Sequence, residues 1–291
     1  MFAPAQMAFL PDSRRLHLNH GPIDLIVQAI GDQYEVQQSY NQARECFPKI
    51  LPTLVGELSN LRLPFDENWK PEGSVARRMH KACSKYCLNF VTPMAAVAGA
   101  VADEVLQEIV SGRRLQKAYI NNGGDIAFHL TQGQSLTAGL VADYYVPHID
   151  GECLLTFEMP VRGVATSGWK GRSFSLGIAD SVTVLAKDGA SADVAATLIA
   201  NAVNTDHPAI ERKPALTQDP DSDLKGCLVT TRVGKLNQKA INDALNAGEK
   251  FALTIKQAGH IIGAVLVLQD KFRLVGAAAD WLVAHTKQGV S

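Results

Sequence analysis

The chain has 291 residues, 46% of them hydrophobic, enough to bury a core in one large domain or two small ones. Its 28 basic and 29 acidic side chains leave a net charge of −1, which speaks against a nucleic-acid binder that relies on bulk charge. No apolar run of about eighteen residues is present, so no membrane span is expected. The N-terminal stretch M-F-A-P-A-Q-M-A-F-L-P-D lacks the basic and apolar regions of a secretory leader, and the first cysteine is Cys46, too far in for a lipoprotein anchor. Five cysteines, an odd number, fit free thiols in a reducing compartment, so a cytoplasmic protein is expected.

Arg14 to Ile30 alternates as two strands about a turn at Asn19–Pro22. Gln33 to Leu61 reads as helix, interrupted near Pro48 and Pro52. After a loop from Leu63 to Gly73, Ser74 to Tyr86 forms a basic helix. Its Arg77, Arg78, Lys81 and Lys85 make either a solvated face or a phosphate-facing patch. His80, Cys83 and Cys87 share one face of it, but a structural zinc site wants a fourth ligand nearby. Thr92 to Ser111 is a second helix, capped by Thr92 and with Pro93 at its first position. The small residues from Ala95 to Ala102 let a backbone or a flat ligand come close. Two strands, Lys117–Asn121 and Ile126–Leu130, flank Asn121-Asn122-Gly123-Gly124-Asp125. That turn is either an ordinary hairpin or a nest of N–H groups for an anion. Ser135–Asp143 and Leu154–Met159 continue an antiparallel pattern.

Val164 to Val203 is the most informative stretch. Thr166-Ser167-Gly168 is a turn of small hydrogen-bonding residues at a strand end, and Gly171-Arg172-Ser173 is a polar turn carrying a cation. Asp180 precedes the β-branched run Ser181–Val184. Asp193 and Thr197 lie i, i+4 on an alanine-rich helix that Ser191 can cap, which puts Asp193 in its first turn. A carboxylate and a hydroxyl on one face suit a hard cation such as Mg²⁺; alternatively Asp193 serves the helix end and Thr197 bonds its own turn. A polar loop follows from Asn204 to Lys225. Then come a strand over Cys227–Val233, a helix over Leu236–Gly248, and a hairpin of Gly263–Leu268 with Phe272–Val275.

In this order the motifs resemble the ApbE-like superfamily, over about residues 14 to 276. The residues that carry the resemblance are P-M-A-A-V-A-G from Pro93, N-G-G-D-I from Asn122, T-S-G from Thr166, G-I-A-D from Gly177 and A-D-V-A-A-T from Ala192. The resemblance is closest to a bacterial and archaeal branch of that group. It implies an α+β fold, the ApbE-like T-fold, with antiparallel sheets and helices packed on them. It also implies a single domain over 1–291, with peripheral ends at about 1–13 and 280–291. Flavin transferases of the superfamily bind FAD and Mg²⁺ and move FMN onto a threonine. Carried over, that implies FAD or FMN with Mg²⁺ as cofactors. Asn122, Gly123, Gly124, Asp125, Thr166, Ser167, Gly168 and Arg172 would then meet a phosphate-bearing ligand, Asp193 and Thr197 the metal, and Asp180 would act in catalysis. The chain departs from the transferases in one place: the segment Gly171–Ile178 replaces their H-x-x-D-P-x-T-G and contains neither histidine nor proline.

Three functions remain open on this reading. One is a Mg²⁺-dependent transferase acting on a flavin or other phosphate-bearing ligand. Another is a role in sulfur assimilation and homocysteine formation, with Cys83 or Cys87 as the thiol. The third is a non-catalytic ligand-binding subunit. The expected partner is a small phosphate-bearing ligand, neither nucleic acid nor membrane, with a homodimer compatible.

Overall fold

The computed structural model describes residues 3–140, 151–276 and 282–284. Asp143, the expected end of one strand, and most of the C-terminal stretch from 280 lie outside the described residues. The architecture is mixed α and β, with antiparallel strand pairs and helices. The chain divides into two compact units. The first comprises Met1–Gln134, Pro160–Ala165 and Ala186–Val194; the second comprises Ser135–Met159, Thr166–Leu185 and Ala195–Ser291.

In the first unit β1 (Gln6–Phe9), β2 (Leu16–His20), β3 (Ile23–Gly31), β4 (Leu115–Asn122) and β5 (Asp125–Leu130) neighbour one another in chain order. β8 (Gly163–Ser167) follows β5 in that sheet. β1 falls in the stretch expected to be peripheral; it pairs with β2, from Gln6 opposite Asn19 to Phe9 opposite Leu16. The alternation in β2 and β3 is as the sequence indicates: Leu16, Leu18, Ile23, Leu25 and Val27 all point into the core.

α1 (Gln33–Gly56) begins at Asp32, whose side chain accepts from the Tyr34 and Glu35 N–H groups. It runs through Pro48 and Pro52 rather than stopping at them. A mid-helix proline costs about 3 kcal/mol. Here Tyr40, Ala43, Phe47, Ile50, Leu51 and Leu54 form one buried stripe that continues past both prolines, and its burial offsets that cost. A short helix, α2 (Leu58–Leu61), then leads to the loop before α3 (Ser74–Cys83). The expected helix from Thr92 is split. Pro93–Ala96 is a 3₁₀ turn without a side-chain cap, and α4 starts only at Val97, running to Val110.

In the second unit β6 (Ser135–Leu140), β7 (Gly151–Thr156) and β14 (Leu282–Ala284) form one small sheet, and β9 (Ser181–Ala186), β12 (Gly263–Leu268) and β13 (Lys271–Gly276) pair antiparallel in another. Every residue of β9 is buried, which explains its unbroken apolar and small-polar run. The segment read as a loop before Lys225 contains β10 (Ile210–Pro214), paired with β11 (Leu228–Val233) through an irregularity at Glu211–Arg212. Its charged sequence hides it, since an exposed strand shows no apolar alternation.

α6 (Gln238–Gln257) extends nine residues past Gly248, where a helix end was expected. Gly248 sits inside it for packing: a Cβ there would lie 2.3 Å from Val203 Cγ2. α5 spans Gly189–Ala202.

Candidate functional site

Within the first unit the N-terminus of α4 crosses the N-terminus of α5 on glycines. A Cβ on Gly99 would lie 2.2 Å from the Gly189 carbonyl oxygen, and one on Gly163 would lie 2.2 Å from the Asp188 carbonyl carbon. The Asp188–Gly189 backbone is thus held between two residues that have no side chain. The two helices then exchange carboxylates. Asp193, from α5, accepts from the Gly99 N–H at 3.0 Å through Oδ2. Asp103, from α4, accepts from the Gly189 and Ala190 N–H groups, both at 2.8 Å. Each acid satisfies donors that a helix start leaves unpaired, on the helix that is not its own. This also explains why α4 begins at Val97: its cap comes from Asp193 and not from Thr92.

The start of α5 differs from the expected one for a related reason. Asp188 is the local cap, its Oδ1 accepting from the Ser191 N–H at 2.7 Å. The helix therefore starts before Ser191, and Asp193 falls in its second turn. The Ser191 hydroxyl instead receives Lys85 Nζ at 2.8 Å.

The Asn121–Asp125 hairpin meets the same junction. Gly123 and Gly124 take φ of 63° and 115°, the left-handed geometry of a tight two-residue turn. The Gly124 N–H donates to Asn121 Oδ1 at 2.8 Å, and buried Asn122 Nδ2 donates to the Ala98 carbonyl at 3.0 Å. Asp125 lies in the field of Asp193. Burial first, then the Asp125 charge, pushes the Asp193 carboxyl well above the usual range, against the opposing Gly99 and Ala98 N–H groups. Asp103 is pushed up to about 6, mainly by burial, with the Ala190 and Gly189 donors pulling the other way. Three acids thus gather at one helix junction, and the charges of Asp125 and Asp103 both raise Asp193.

The remaining candidates lie in the second unit. Thr166, exposed at the end of β8, shares a 2.8 Å hydrogen bond with the Thr183 hydroxyl. Ser167 is half-buried beside it, and Gly168 is packed so that a Cβ would lie 2.3 Å from the Asp180 carbonyl oxygen. Asp180 is fully engaged. Oδ1 accepts from Trp169 Nε1 at 3.0 Å and faces Lys170 Nζ at 3.3 Å, and Oδ2 accepts from the Gln269 N–H at 2.5 Å. The last bond also holds the β12–β13 turn, where Gln269 takes a φ of 53°. Arg172 is exposed in the polar turn, and Thr197 is half-buried on α5.

The thiol and histidine face of α3 is not a ligand set. His80 Nε2 is 2.9 Å from the Asp66 carbonyl oxygen, and its ring stacks against Phe65 with centroids 4.7 Å apart. Cys83 is buried, its thiol pushed up to about 12 by burial and the Asp193 charge, so it stays protonated and unreactive. Cys87 is exposed. Among the described residues, no three His, Cys, Asp or Glu side chains are placed to share a metal ion. Two residues of the junction, Asp103 and Asp188, are not among the site residues that the sequence points to. Their signals are an acid embedded in the apolar run of α4 and an Asp-Gly pair just before α5.

A family profile described as AbpE bacteria matches residues 7–274. The chain belongs to that family. Among its relatives is a UPF0280 protein from Methanothermobacter thermautotrophicus, 35% identical over 180 residues, which are 59% of this chain and 68% of that protein. A UPF0280 protein from Methanobrevibacter smithii is 36% identical over 47% of this chain and 56% of its own length. One from Methanopyrus kandleri is 36% identical over 54% and 62%. Alignment with these last two thus spans under two thirds of their length. No described helix is long and apolar enough to cross a membrane.

Proposed function

We propose that this family member holds a small phosphate-bearing ligand, of flavin or nucleotide type, through a divalent cation seated at Asp193 and Asp125, on a scaffold of the ApbE-like T-fold kind. One observation carries the reading: a desolvated carboxylate lies in the field of a second one at a helix junction. Two such acids favour either a shared proton or a cation. The donor set fits Mg²⁺, which takes oxygen ligands, needs only one or two carboxylates and keeps waters for substrate phosphates. When bound, the ion would neutralise phosphate charge. The chain's own part is to orient: the hairpin tip places Asp125, and the Gly99 N–H fixes Asp193. In the second unit, Thr166, Ser167, Gly168, Arg172 and Thr197 are proposed as ligand contacts on the strength of the family resemblance alone. Transferase chemistry would need an acid or base beyond Asp180, whose oxygens already carry donors.

The Gly99 bond to Asp193 also favours a second reading, in which this acid is a helix clamp and the protein binds its ligand without catalysis. Thermal unfolding with FAD, FMN and ATP, with and without Mg²⁺, separates them. A Mg²⁺-dependent rise in the midpoint that is lost in Asp125→Asn supports the cation site. A rise that ignores Mg²⁺ supports the clamp reading, and no rise with any of these compounds removes the proposal.

A further inference from the structure

The first unit also holds a cavity to which α4 contributes Glu104 and Glu108. Helices α1, α3 and α4 enclose its volume of about 240 Å³. Its lining is mixed: Ile50, Leu54 and Val75, all buried, give an apolar side, and polar and charged residues give the rest. Two acids one helical turn apart on α4 face it, and they are not equivalent. Glu104 is already matched: Arg78 Nε is 2.7 Å from its Oε2, and the Ser74 hydroxyl donates to its Oε1. The carboxylate of Glu108 has no hydrogen bond or ion pair among the described residues. The same holds for the ammonium of Lys49, which lines the cavity from α1. The two do not pair with each other, although both act on the Cys46 thiol in the same wall. Burial raises that thiol to about 12, Glu108 adds to the rise, and Lys49 opposes it. One open anion, one open cation and an apolar side therefore line a space suited to a few heavy atoms.

We infer that this cavity is a separate ligand site for a small zwitterion with a short apolar chain. Its ammonium is directed to Glu108, its carboxylate to Lys49, and its chain to Ile50, Leu54 and Val75. Charge-assisted bonds at both ends give recognition of the zwitterion over either half of it. The site is independent of the cation site at Asp193.

Calorimetry on the full chain with L-valine, L-leucine and L-isoleucine tests it. At least one should bind at one per chain. Two analogues of leucine, 3-methylbutylamine and 4-methylpentanoate, should bind at least about tenfold more weakly. Glu108→Gln and Lys49→Met should each weaken the amino acid by at least about tenfold while leaving the unfolding midpoint unchanged, since both side chains lack partners. No binding of any of the three at millimolar concentration overturns the inference. So does binding that Glu108→Gln leaves intact.

Discussion

The molecule buries aspartates in two different ways. In the second unit Asp180 is compensated on every side, by a lysine, an indole N–H and a backbone N–H. In the first unit Asp193 and Asp103 receive backbone donors, but the charges that act on Asp193 are those of other carboxylates, Asp125 and Asp103. Similar donors thus yield different chemistry. Asp180 ties a turn to a strand end and needs nothing more. The junction acids raise one another's affinity for protons, a repulsion that a proton or a cation would relieve. A protein that needed only to join two helix ends could do so with neutral side chains, so the repulsion among these acids is the feature on which the proposed cation site rests.

The largest effect should come from closing the space on which the junction depends. Gly99→Ala places a methyl group 2.2 Å from the Gly189 carbonyl, a contact with backbone that no rotamer relieves. We expect a loss of roughly 3 kcal/mol or more in urea unfolding. If the variant unfolds like the parent, the helices do not cross as described.

Next in size is a pH dependence that belongs to the first unit alone. The folded-state pKa of Asp103 stands above its unfolded value, so the folded chain binds more protons in the window between them. Its contribution therefore favours the folded state at the acid end and is lost as pH rises from about 4 to about 6. The change is roughly 3 kcal/mol at most and flat above that window. Asp193, also raised, adds a slope of the same sign. In Asp103→Asn the Asp103 part of the slope should vanish. A parent whose stability climbs steadily across this window, with the variant climbing in parallel, would show that the acids are not desolvated.

How much of this contrast could be read from residues alone differs between the two regions. Both Asp180 and Asp193 are conspicuous, each standing beside glycines and short polar turns, and the strands about Asn122–Asp125 follow from the hairpin signal. The partners are another matter. Asp103 meets Gly189 across 86 positions, and Gln269 meets Asp180 across 89, so no local pattern links them. Ser191 offers a good local cap, yet Asp188 takes the role, because the glycine after it permits the close approach to Gly99. Tertiary packing overrode local propensity at Pro48, Pro52 and Gly248 too.

Asp180→Asn sharpens the comparison from the other side. It removes the charge facing Lys170 but keeps an oxygen for Trp169 or Gln269. With Lys170 a quarter exposed, solvent can take over much of its compensation. We expect a loss of about 1–2 kcal/mol, with no change in the pH slope attributed to Asp103. The Trp169 emission should shift, with Trp169→Phe identifying its share of the signal. A changed slope would mean that the two aspartate sites are coupled, which their different surroundings argue against.

The smallest expected effect is the control for the first. Gly56 ends α1, and a Cβ added there has nothing within 4 Å. Gly56→Ala should raise stability by about 0.5 kcal/mol, since alanine restricts the unfolded chain and suits a helix better. The substitution is chemically the same as at Gly99, so the difference between them isolates the crossing of α4 and α5. If both glycines respond alike, the junction carboxylates are capping two helices that merely lie near each other. The repulsion among these acids would then need no close contact to exist, and the case for a cation at Asp193 and Asp125 would lose its structural footing.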